Sequence, residues 1–516
     1  MTPTRRITRI AVHSRTASVA SGHPHVTEAA SVILRAGGNA FDAAIAAGFA
    51  ATVAEPALTS LGGGGFLLAR TCQGRNVLFD FFVDTPGRGL PKCRLEPHFL
   101  PVTVRFPASE QIFNVGLGSV ATPGVLRGYL HIHRQLGRLP LREVLAPAVQ
   151  LARAGLILNS RQAYFLGLLT PIMTLTPAGR ALFAPNGRFV SAGEVHCNPQ
   201  LAAFLETLPS DGDHEFYHGV LAQRMAAELR AGGGLLTSAD LAAFQVIERE
   251  PLTVDYRGYR LLTNPPPAFG GALLALALQL LAGGASTTPD FGAPAHLSLL
   301  VAVMQEADRW REQGYLRLPA PDAAAGLAAS QKRVRLASGG TTHISVCDTE
   351  GNAASMTTSN GEGSGYFAPD TGIMLNNMMG EDDLHPDGFH VSPPGLRVAS
   401  MMAPSLLLAG DALRLALGSG GSKRIRSALL QVISNVVDFA MPPDQAVAAP
   451  RLHWDGTQVQ IEPGFATGAL EELARRWPVN RWPSADLYFG GVHVAGADGA
   501  GAGDPRRGGC AATLLL

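Results

Sequence analysis

GGTTHISVCDTEGNAASMTTSNG, residues 339–361, carries the clearest structural pattern in the sequence. Apolar and polar side chains alternate through residues 342–347, which is typical of a β-strand with one face in a core. The sequence DTEGN of residues 348–352 is typical of a tight turn, and residues 353–359 then run back as a second strand. The stretch therefore predicts a β-hairpin of two buried strands.

The predicted hairpin brings particular side chains together at its open end. Antiparallel pairing sets Thr341 level with residues 359–361, so that the hydroxyl of Ser359 and the carboxamide of Asn360 lie beside the start of the first strand. His343 points to the opposite face of the strand from the residue before it, and we do not assign it a catalytic role.

A threonine in this setting has a specific chemistry open to it. When it follows flexible glycines and opens a buried strand, its hydroxyl can attack the carbonyl of the preceding residue. The N–O shift and hydrolysis that follow leave Thr341 with a free α-amine, whose ordinary pKa of about 7.7–8.0 suits a general base near neutral pH. Nucleophile and base then belong to one residue. On composition alone, an ordinary surface threonine at the start of a strand stays open as the alternative.

Composition and charge exclude several classes of protein. The chain has 516 residues, of which 16% are charged and 46% hydrophobic, and it contains 59 Gly and 36 Pro, as expected of a turn-rich globular protein. The formal net charge is zero and no basic tract occurs, so neither nucleic acid nor an anionic membrane surface is an expected partner. The apolar run of residues 10–12 is too short for a secretory signal, which predicts a cytoplasmic protein.

Cysteine spacing and apolar stretches exclude further classes. The five cysteines are scattered and form no CxxC pair, so neither a disulfide framework nor a zinc site is expected, and no cofactor is implied. We interpret Cys347 as a small core residue of the first hairpin strand. Glycines and a glutamine interrupt the apolar stretch of residues 269–285, which predicts a buried helix rather than a membrane span.

Outside the hairpin the sequence predicts helices and strands in alternation. Helices are expected at residues 27–36, with Thr27 as N-cap, and at residues 40–53. The further predicted segments are a strand at residues 67–70, helices with short loops from 124 to 245, strands at 251–264 and a buried helix near 271–282. Residues 311–340 are rich in Ala, Gly, Arg and Pro and are interpreted as an exposed, flexible segment.

The hairpin sequence closely resembles the nucleophile region of the γ-glutamyltranspeptidase (glutathione hydrolase) family. Other segments look like family blocks in family order, namely residues 38–56, 61–68, 232–244, 255–271, 375–379, 400–408, 418–425 and 501–509. The resemblance implies an α/β (α+β) N-terminal-nucleophile hydrolase, a four-layer αββα sandwich made as one precursor and cut before Thr341. A large subunit, residues 1–340, and a small subunit, residues 341–516, would then share one core.

The resemblance also assigns roles to residues that match the family motifs. Thr341 matches the nucleophile, and Ser359 matches a hydroxyl residue that assists processing. Gly420 and Gly421 match a glycine pair whose N–H groups form the oxyanion hole. The positions that match substrate contacts are Asn360 or Gly361 for the α-carboxylate region, Glu381 or Asp382 for the α-ammonium, and Ser400, followed by Met401 in place of a second serine, for the α-carboxylate.

One departure from the family pattern concerns substrate recognition. Phe82 stands where the family carries the arginine that pairs with the γ-glutamyl α-carboxylate. Loss of such a charge-assisted contact typically removes about 1.5–3 kcal/mol of binding free energy. Met378 likewise stands where the family tends to have a polar residue. Arg397, Lys423 or Arg424 would have to supply the missing cation if the specificity is kept.

Three functions stay open at this point. The resemblance implies hydrolysis of γ-glutamyl amides of the glutathione type through an acyl-threonine intermediate. The replacement by Phe82 instead favours an acylase or amidohydrolase of the same family that acts on a non-glutamyl amide. An inactive scaffold homologue is the third. The stretch from Glu381 to Ser400 looks shorter than in members with a lid, which favours water over an amine as the acyl acceptor.

Overall fold

The structure, a computed structural model, describes residues 15–91, 98–106, 109–283, 289–313, 340–385 and 387–516. The strands are, in chain order, β1 (Thr16–Ser21), β2 (Gly64–Arg70), β3 (Asn76–Phe81), β4 (Leu100–Phe106), β5 (Ser109–Val115), β6 (Leu156–Ile157), β7 (Val195–His196), β8 (Ile247–Arg249), β9 (Leu252–Tyr256), β10 (Tyr259–Thr263), β11 (Thr341–Cys347), β12 (Ala353–Ser359), β13 (Ser405–Ala409), β14 (Ala412–Gly420), β15 (Leu452–Trp454), β16 (Val459–Ile461), β17 (Val479–Arg481), β18 (Gly491–Gly496), β19 (Gly501–Ala502) and β20 (Cys510–Leu515). The helices are α1 (Pro24–Arg35), α2 (Ala40–Ala54), α3 (Val125–Leu136), α4 (Leu141–Ala154), α5 (Ser160–Leu168), α6 (Thr170–Met173), α7 (Pro177–Phe183), α8 (Pro199–Asp211), α9 (His214–Tyr217), α10 (Val220–Ala231), α11 (Ser238–Ala243), α12 (Phe269–Gly283), α13 (Pro294–Glu312), α14 (Arg424–Val437), α15 (Pro443–Ala448) and α16 (Thr467–Ala474).

Two antiparallel sheets form the centre of the protein. The first has the strand order β20–β1–β11–β12–β2–β3–β8, and the second has the order β19–β18–β14–β13–β10–β9. Strand β11 of the first sheet packs against β14 and β18 of the second, so the two sheets lie face to face. Helices α1, α2 and α3 contact the first sheet, and α12 and α14 contact the second. The predicted four-layer αββα sandwich is confirmed.

Each central sheet takes strands from both sides of residue 341. In the first sheet β11, β12 and β20 follow that residue, while β1, β2, β3 and β8 precede it. In the second sheet only β9 and β10 precede it. A cut before residue 341 would therefore leave two polypeptides interleaved within both sheets, and hydrogen bonds between strands would hold them together.

The hairpin predicted from residues 339–361 is confirmed in its strands and its register. Strand β11 pairs with β12 so that Thr341 lies opposite Ser359 and Cys347 lies opposite Ala353. The turn is closed by the carboxylate of Asp348, which accepts hydrogen bonds from the backbone N–H groups of Glu350 and Asn352, both at 2.9 Å. A short polar turn between two alternating strands thus fixes the register by local chemistry.

Helix α2 packs against strands β11 and β12 of the first sheet. All of its residues are buried, and its small side chains allow close packing, as at Gly48, which leaves no room for a Cβ beside Tyr129 and Met356. Asn39 caps its first turn in a capping box with Asp42. Because the helix ends at Ala54, the next residues lead directly to the open end of the hairpin.

The helix predictions hold with one correction. The prediction that Thr27 caps the first helix is wrong, because α1 begins at Pro24, whose fixed backbone angle favours the first helical position, and His23 provides the cap. The buried helix is confirmed as α12. Within the described residues no helix is both long and apolar enough to cross a membrane. Of the segment 311–340, which the sequence predicts to be exposed and flexible, residues 314–339 lie outside the described residues. The prediction is wrong at the two ends, because Arg311 and Glu312 belong to α13 and Gly340 is buried.

Candidate active site

A chain of hydroxyl groups links the first residue of β11 to the carbonyl in front of it. Thr341 is buried, and its Oγ1 donates a hydrogen bond to Ser359 Oγ at 3.3 Å. Ser359 Oγ in turn donates a hydrogen bond to the carbonyl oxygen of Gly340, and it accepts one from the backbone N–H of Gly361 at 2.9 Å. Donation by Ser359 polarises the carbonyl that the neighbouring threonine hydroxyl would have to attack.

Gly340 occupies a slot that admits no side chain. A Cβ at this position would come within 2.6 Å of the Ala57 carbonyl oxygen and would also approach the Gly361 carbonyl oxygen closer than the 3.0 Å that real Cβ contacts keep. Both neighbours are backbone atoms, so neither can rotate away. The slot therefore holds the peptide between Gly340 and Thr341 in a fixed position, as an intramolecular attack requires.

Replacing Gly340 with alanine is expected to slow cleavage of the chain about 10- to 100-fold, because overpacking against rigid atoms typically costs about 1–3 kcal/mol. Once cleavage is complete, the residue no longer shares a bond with Thr341, so turnover per cleaved molecule should stay near the wild-type value. Gel densitometry during expression and active-site titration afterwards measure the two quantities. Wild-type cleavage kinetics in the variant would contradict the slot.

The second sheet brings a glycine pair to the same place. A Cβ on Gly420, at the end of β14, would approach the carbonyl oxygen of Thr341 closer than 3.0 Å. Gly421 follows with a φ of +124°, a conformation that residues with a side chain rarely adopt. The structure therefore places Gly420 beside Thr341, with Gly421 next in the chain, and an oxyanion hole built from their backbone N–H groups stays a prediction.

Arg507 is a functional candidate that sequence reasoning missed. Its side chain is buried, and Nη1 donates a hydrogen bond to the carbonyl oxygen of Thr341 at 2.9 Å. The signal was present in the block of residues 501–509, but nothing in that block alone shows that the arginine reaches a strand 166 residues away. Only the pairing of the two sheets brings them together.

Glu381, rather than Asp382, points into the site. A Cβ on Gly361 would clash with Glu381 Oε1, so the carboxyl group lies against the backbone that follows Ser359. Oε1 is buried and has no hydrogen-bond partner among the described residues. Burial, with added repulsion from Glu362 and Asp383, raises the pKa of Glu381 well above its ordinary value. Asp382 is exposed.

Two asparagines lie in the same region as this carboxyl group. A Cβ on Gly361 would clash with Asn377 Oδ1 as well as with Glu381 Oε1. The Asn377 N–H donates a hydrogen bond to the Asn360 carbonyl oxygen. Asn360 is buried and its Oδ1 has no hydrogen-bond partner among the described residues. Asn377, which sequence reasoning did not single out, accepts a hydrogen bond from the Glu362 N–H at 2.9 Å and directs its Nδ2 to the Glu362 carboxylate at 3.4 Å. Burial also raises the pKa of Glu362 above its ordinary value. The region therefore offers several oxygen acceptors to a donor group.

Phe82 lies in a buried apolar cluster beside Gly64, two strands away from Thr341. Its ring is buried and stacks on Phe66 with 5.4 Å between centroids. A Cβ on Gly64 would lie 3.0 Å from the ring, and Gly64 is the partner of Ser359 in β2. Two strand spacings separate Gly64 from Thr341, which is about 10 Å. Met378 and Met402 belong to the same apolar cluster.

Arg397 does not stand free to replace the missing family arginine. Its guanidinium donates to the carboxylates of Asp80 and Asp84, both at 2.7 Å, and to the Gln245 carbonyl oxygen at 2.7 Å. These internal acceptors occupy the side chain, which is 6% exposed. The predicted substrate contact is therefore corrected: Arg397 cross-links the loop before β13 to the end of β3.

The other two candidate cations also have internal partners. Lys423 pairs with Asp383 at 2.9 Å, and Arg424 donates to the Tyr488 carbonyl oxygen at 3.0 Å while its guanidinium lies over the Tyr488 ring. Ser400 is buried in the loop before β13, where its Oγ accepts a hydrogen bond from the Met402 N–H at 3.2 Å.

His343 belongs to the contact between the two sheets. Its ring nitrogens lie 2.8 Å from Thr357 Oγ1 and 2.9 Å from Ser345 Oγ, so both are occupied. Burial lowers its pKa well below the ordinary value, which keeps the ring neutral. Cys347, further along β11, is buried beside the Ala495 carbonyl oxygen. Among the described residues no group of three metal-ligating side chains is arranged to hold an ion.

Comparison with known proteins gives independent evidence of the family to which the chain belongs. The family model described as gamma-glutamyltranspeptidase matches residues 26–514. The chain is 31% identical over 483 residues to the Acylase ACY 1 proenzyme of Pseudomonas sp. strain V22, covering 89% of this chain and 86% of that protein. It is 30% identical over 536 residues to the Glutathione hydrolase proenzyme of Escherichia coli strain K12, covering 96% and 91%.

A solved structure shares the fold over almost the whole chain. The cephalosporin acylase from Bacillus halodurans superposes with a TM-score of 0.81 at 27% sequence identity, covering 99% of this chain and 97% of that one. The relatives therefore include both glutathione hydrolases and acylases at similar identity. Overall similarity alone does not choose between the two substrates.

Proposed function

Because this chain belongs to the γ-glutamyltranspeptidase family of amidohydrolases, we propose that it cuts itself before Thr341 and then hydrolyses an amide through an acyl-Thr341 ester. The observation that carries this proposal is the hydroxyl chain from Thr341 through Ser359 to the Gly340 carbonyl oxygen. It supports the proposal because two hydroxyl groups and the peptide bond proposed to be cut lie together at the open end of one buried hairpin.

The first reaction is the cleavage of the precursor. Thr341 Oγ1 adds to the carbonyl carbon of Gly340, and the charge that develops on the carbonyl oxygen receives the hydrogen bond from Ser359. Collapse breaks the C–N bond, so Gly340 is held as an ester, and the proton that Oγ1 has lost passes to the nitrogen of Thr341, which becomes an amine. Water then hydrolyses the ester, which leaves a carboxylate on Gly340 and restores the hydroxyl.

Turnover repeats this chemistry on an external amide. The α-amine of Thr341 removes the proton of its own Oγ1, which adds to the substrate carbonyl carbon while the N–H groups of Gly420 and Gly421 stabilise the oxyanion. The amine returns the proton to the leaving nitrogen, and an acyl ester remains on Thr341. Water, activated by the same amine, attacks the ester and releases the acid.

The side chains near Thr341 favour an acyl group without an α-carboxylate. The buried, apolar Phe82 occupies the position of the family arginine, and Arg397 is held by two internal carboxylates. The acceptor groups for a substrate ammonium are retained. Glu381 Oε1 and Asn360 Oδ1 are both buried without a hydrogen-bond partner among the described residues. A substrate carboxylate there would be buried without a cation that the structure shows to be available, whereas an ammonium group would find acceptors and would favour the ionised form of Glu381.

Four anilides, whose acyl groups carry an ammonium, a carboxylate, both or neither, show which charge the site recognises. We expect 4-aminobutanoyl anilide, which keeps the ammonium and lacks the carboxylate, to have at least about 10-fold higher kcat/KM than the γ-glutamyl anilide, in line with the loss of one charge-assisted contact. The glutaryl anilide, with the carboxylate alone, should be the poorest substrate. The butanoyl anilide, with neither charge, measures the reaction without charge recognition.

Phe82→Arg tests whether the apolar side chain of Phe82 disfavours an acyl group with an α-carboxylate, and Phe82→Leu is the apolar control. The arginine variant should gain on the γ-glutamyl anilide relative to the 4-aminobutanoyl anilide, and the leucine variant should not. A wild-type preference for the γ-glutamyl anilide would favour the glutathione-type function instead. A fully cleaved sample that hydrolyses none of the four would remove the support for amide hydrolysis.

A further inference from the structure

The positively charged guanidinium group of Arg507 contacts Thr341 directly. Nη1 hydrogen-bonds to the Thr341 carbonyl oxygen at 2.9 Å. The same group lies beneath the glycine pair, because Cβ atoms on Gly420 and Gly421 would lie 3.1 and 3.3 Å from its two terminal nitrogens. The side chain is 3% exposed, and its Nε has no hydrogen-bond partner among the described residues.

This contact brings a cation near the atom that would act as general base. The nitrogen and carbonyl oxygen of one residue are joined by three bonds and lie at most about 3.7 Å apart, so Nη1 lies within about 7 Å of the Thr341 nitrogen. In a buried site, a like charge at this range disfavours the ammonium form of an amine. A base that must be neutral to accept a proton is thereby kept neutral at lower pH.

Glu55 lies on the other side of the same strand. Its Oε2 accepts a hydrogen bond from Thr342 Oγ1 at 2.9 Å, and its Oε1 is buried without a partner among the described residues. A Cβ on Gly22 would overlap Oε1, so the carboxyl group is tightly enclosed. Burial raises the pKa of Glu55 to about 7, which means that the group changes charge near neutral pH.

Other charged or titratable groups lie further along the elements that pack against this strand. They are His343 in β11, Glu362, Glu381 and Asp383 in the loops after β12, Lys423 and Arg424 after the glycine pair, and His493 and Asp504 near Arg507. Among the described titratable side chains, Arg507 and Glu55 are the ones that hydrogen-bond to residues 341 and 342.

We propose that Arg507 and Glu55 are positioning residues that set the pKa of the Thr341 α-amine in opposite directions. The inference rests on the proposed function, since the amine exists only after cleavage. Arg507 holds the backbone of the nucleophile and lowers the pKa of the amine. Glu55, when ionised, raises it. Their balance fixes the lowest pH at which the amine can act as general base.

The pH dependence of kcat/KM reports this balance, because its acid limb follows the free enzyme's essential base. In Arg507→Met the limb should move up by about one pH unit. Arg507→Lys keeps the charge and should stay within a few tenths of a unit of the wild type. In Glu55→Gln, which keeps an acceptor for Thr342, the limb should move down by about half a unit.

Opposite shifts from the two charge removals support the proposal, since a general loss of structure cannot move one limb up and the other down. Shifts in the same direction, or lower activity with an unchanged limb in both variants, would overturn it. If Arg507→Met remains uncut, Glu55→Gln decides, and an unchanged or raised limb overturns the proposal. If the wild-type protein itself is active but uncut, the proposed function fails rather than the role of these two residues.

Discussion

Replacing Thr341 with alanine is expected to leave a single uncut polypeptide and to reduce amide hydrolysis at least about 10⁴-fold, as removal of a nucleophile does in other acyl-transfer enzymes. The hydroxyl of Thr341 is the group that would attack both the Gly340 carbonyl and the substrate. Ser359 cannot replace it, because its Oγ is already engaged with the Gly340 carbonyl oxygen and the Gly361 N–H. Denaturing gels and an anilide assay measure the two effects.

Two neighbouring variants make this experiment specific. Thr341→Ser keeps a hydroxyl at the same position and should be cut, although more slowly. Thr342→Ser alters the adjacent residue, whose hydroxyl bonds to Glu55 on the opposite face, and should be cut normally. A Thr341→Ala protein that is still cut at the same bond, or that keeps wild-type turnover, would show that another residue is the nucleophile.

Gly420→Ala is expected to reduce turnover about 100-fold or more and to impair cleavage of the precursor. The added Cβ would overlap the carbonyl oxygen of Thr341, and neither partner can rotate away because both belong to strand backbones. The nucleophile would have to shift by a few tenths of an ångström to an ångström. Misplacement of a reacting group by about 1 Å typically costs about 100-fold in rate.

Gly468 provides the matched control for that substitution. It lies in α16, where a Cβ would meet no other atom within 4 Å, so Gly468→Ala should leave turnover unchanged. Alanine also favours a helix more than glycine does, by about 1 kcal/mol, so the thermal midpoint should not fall. A Gly420→Ala protein with wild-type kcat would show that the glycine pair does not closely approach the nucleophile.

The local parts of the site could be predicted from sequence. The register of β11 and β12 follows from the alternation of side chains on either side of a five-residue polar turn, and this places Ser359 opposite Thr341. Periodicity alone does not predict the four-layer fold, because the pairing of two sheets depends on contacts between residues far apart in sequence. That prediction depends instead on a family resemblance spread over blocks along the whole chain.

The parts that sequence did not show are the long-range contacts. Arg507 and Glu55 reach the nucleophile strand from positions 166 and 287 residues away, so no local pattern links them to it. The sequence makes Arg397 a candidate to replace the missing arginine. It does not show that Asp80 and Asp84, 317 and 313 residues away, bind its guanidinium group. A charge that looks free in a sequence can thus be fully engaged in the fold.

The chemistry of the pocket separates into two sets of residues. The two sheets bring together Thr341, Ser359 and Gly420. Phe82, in contrast, is apolar and stacks on Phe66. Under the proposed function, a substitution at Phe82 would change which acyl group is bound without altering the atoms that react. The acyl preference and the reaction type can therefore be tested separately.

The intact masses of the polypeptides in a purified, active preparation are the most decisive measurement for catalysis by Thr341. We predict two chains, of which the smaller begins at Thr341, and we predict that its mass rises by one acyl group when turnover is quenched with acid. An active preparation that consists of one unbroken polypeptide, or an acyl group carried by any other residue, would contradict this mechanism.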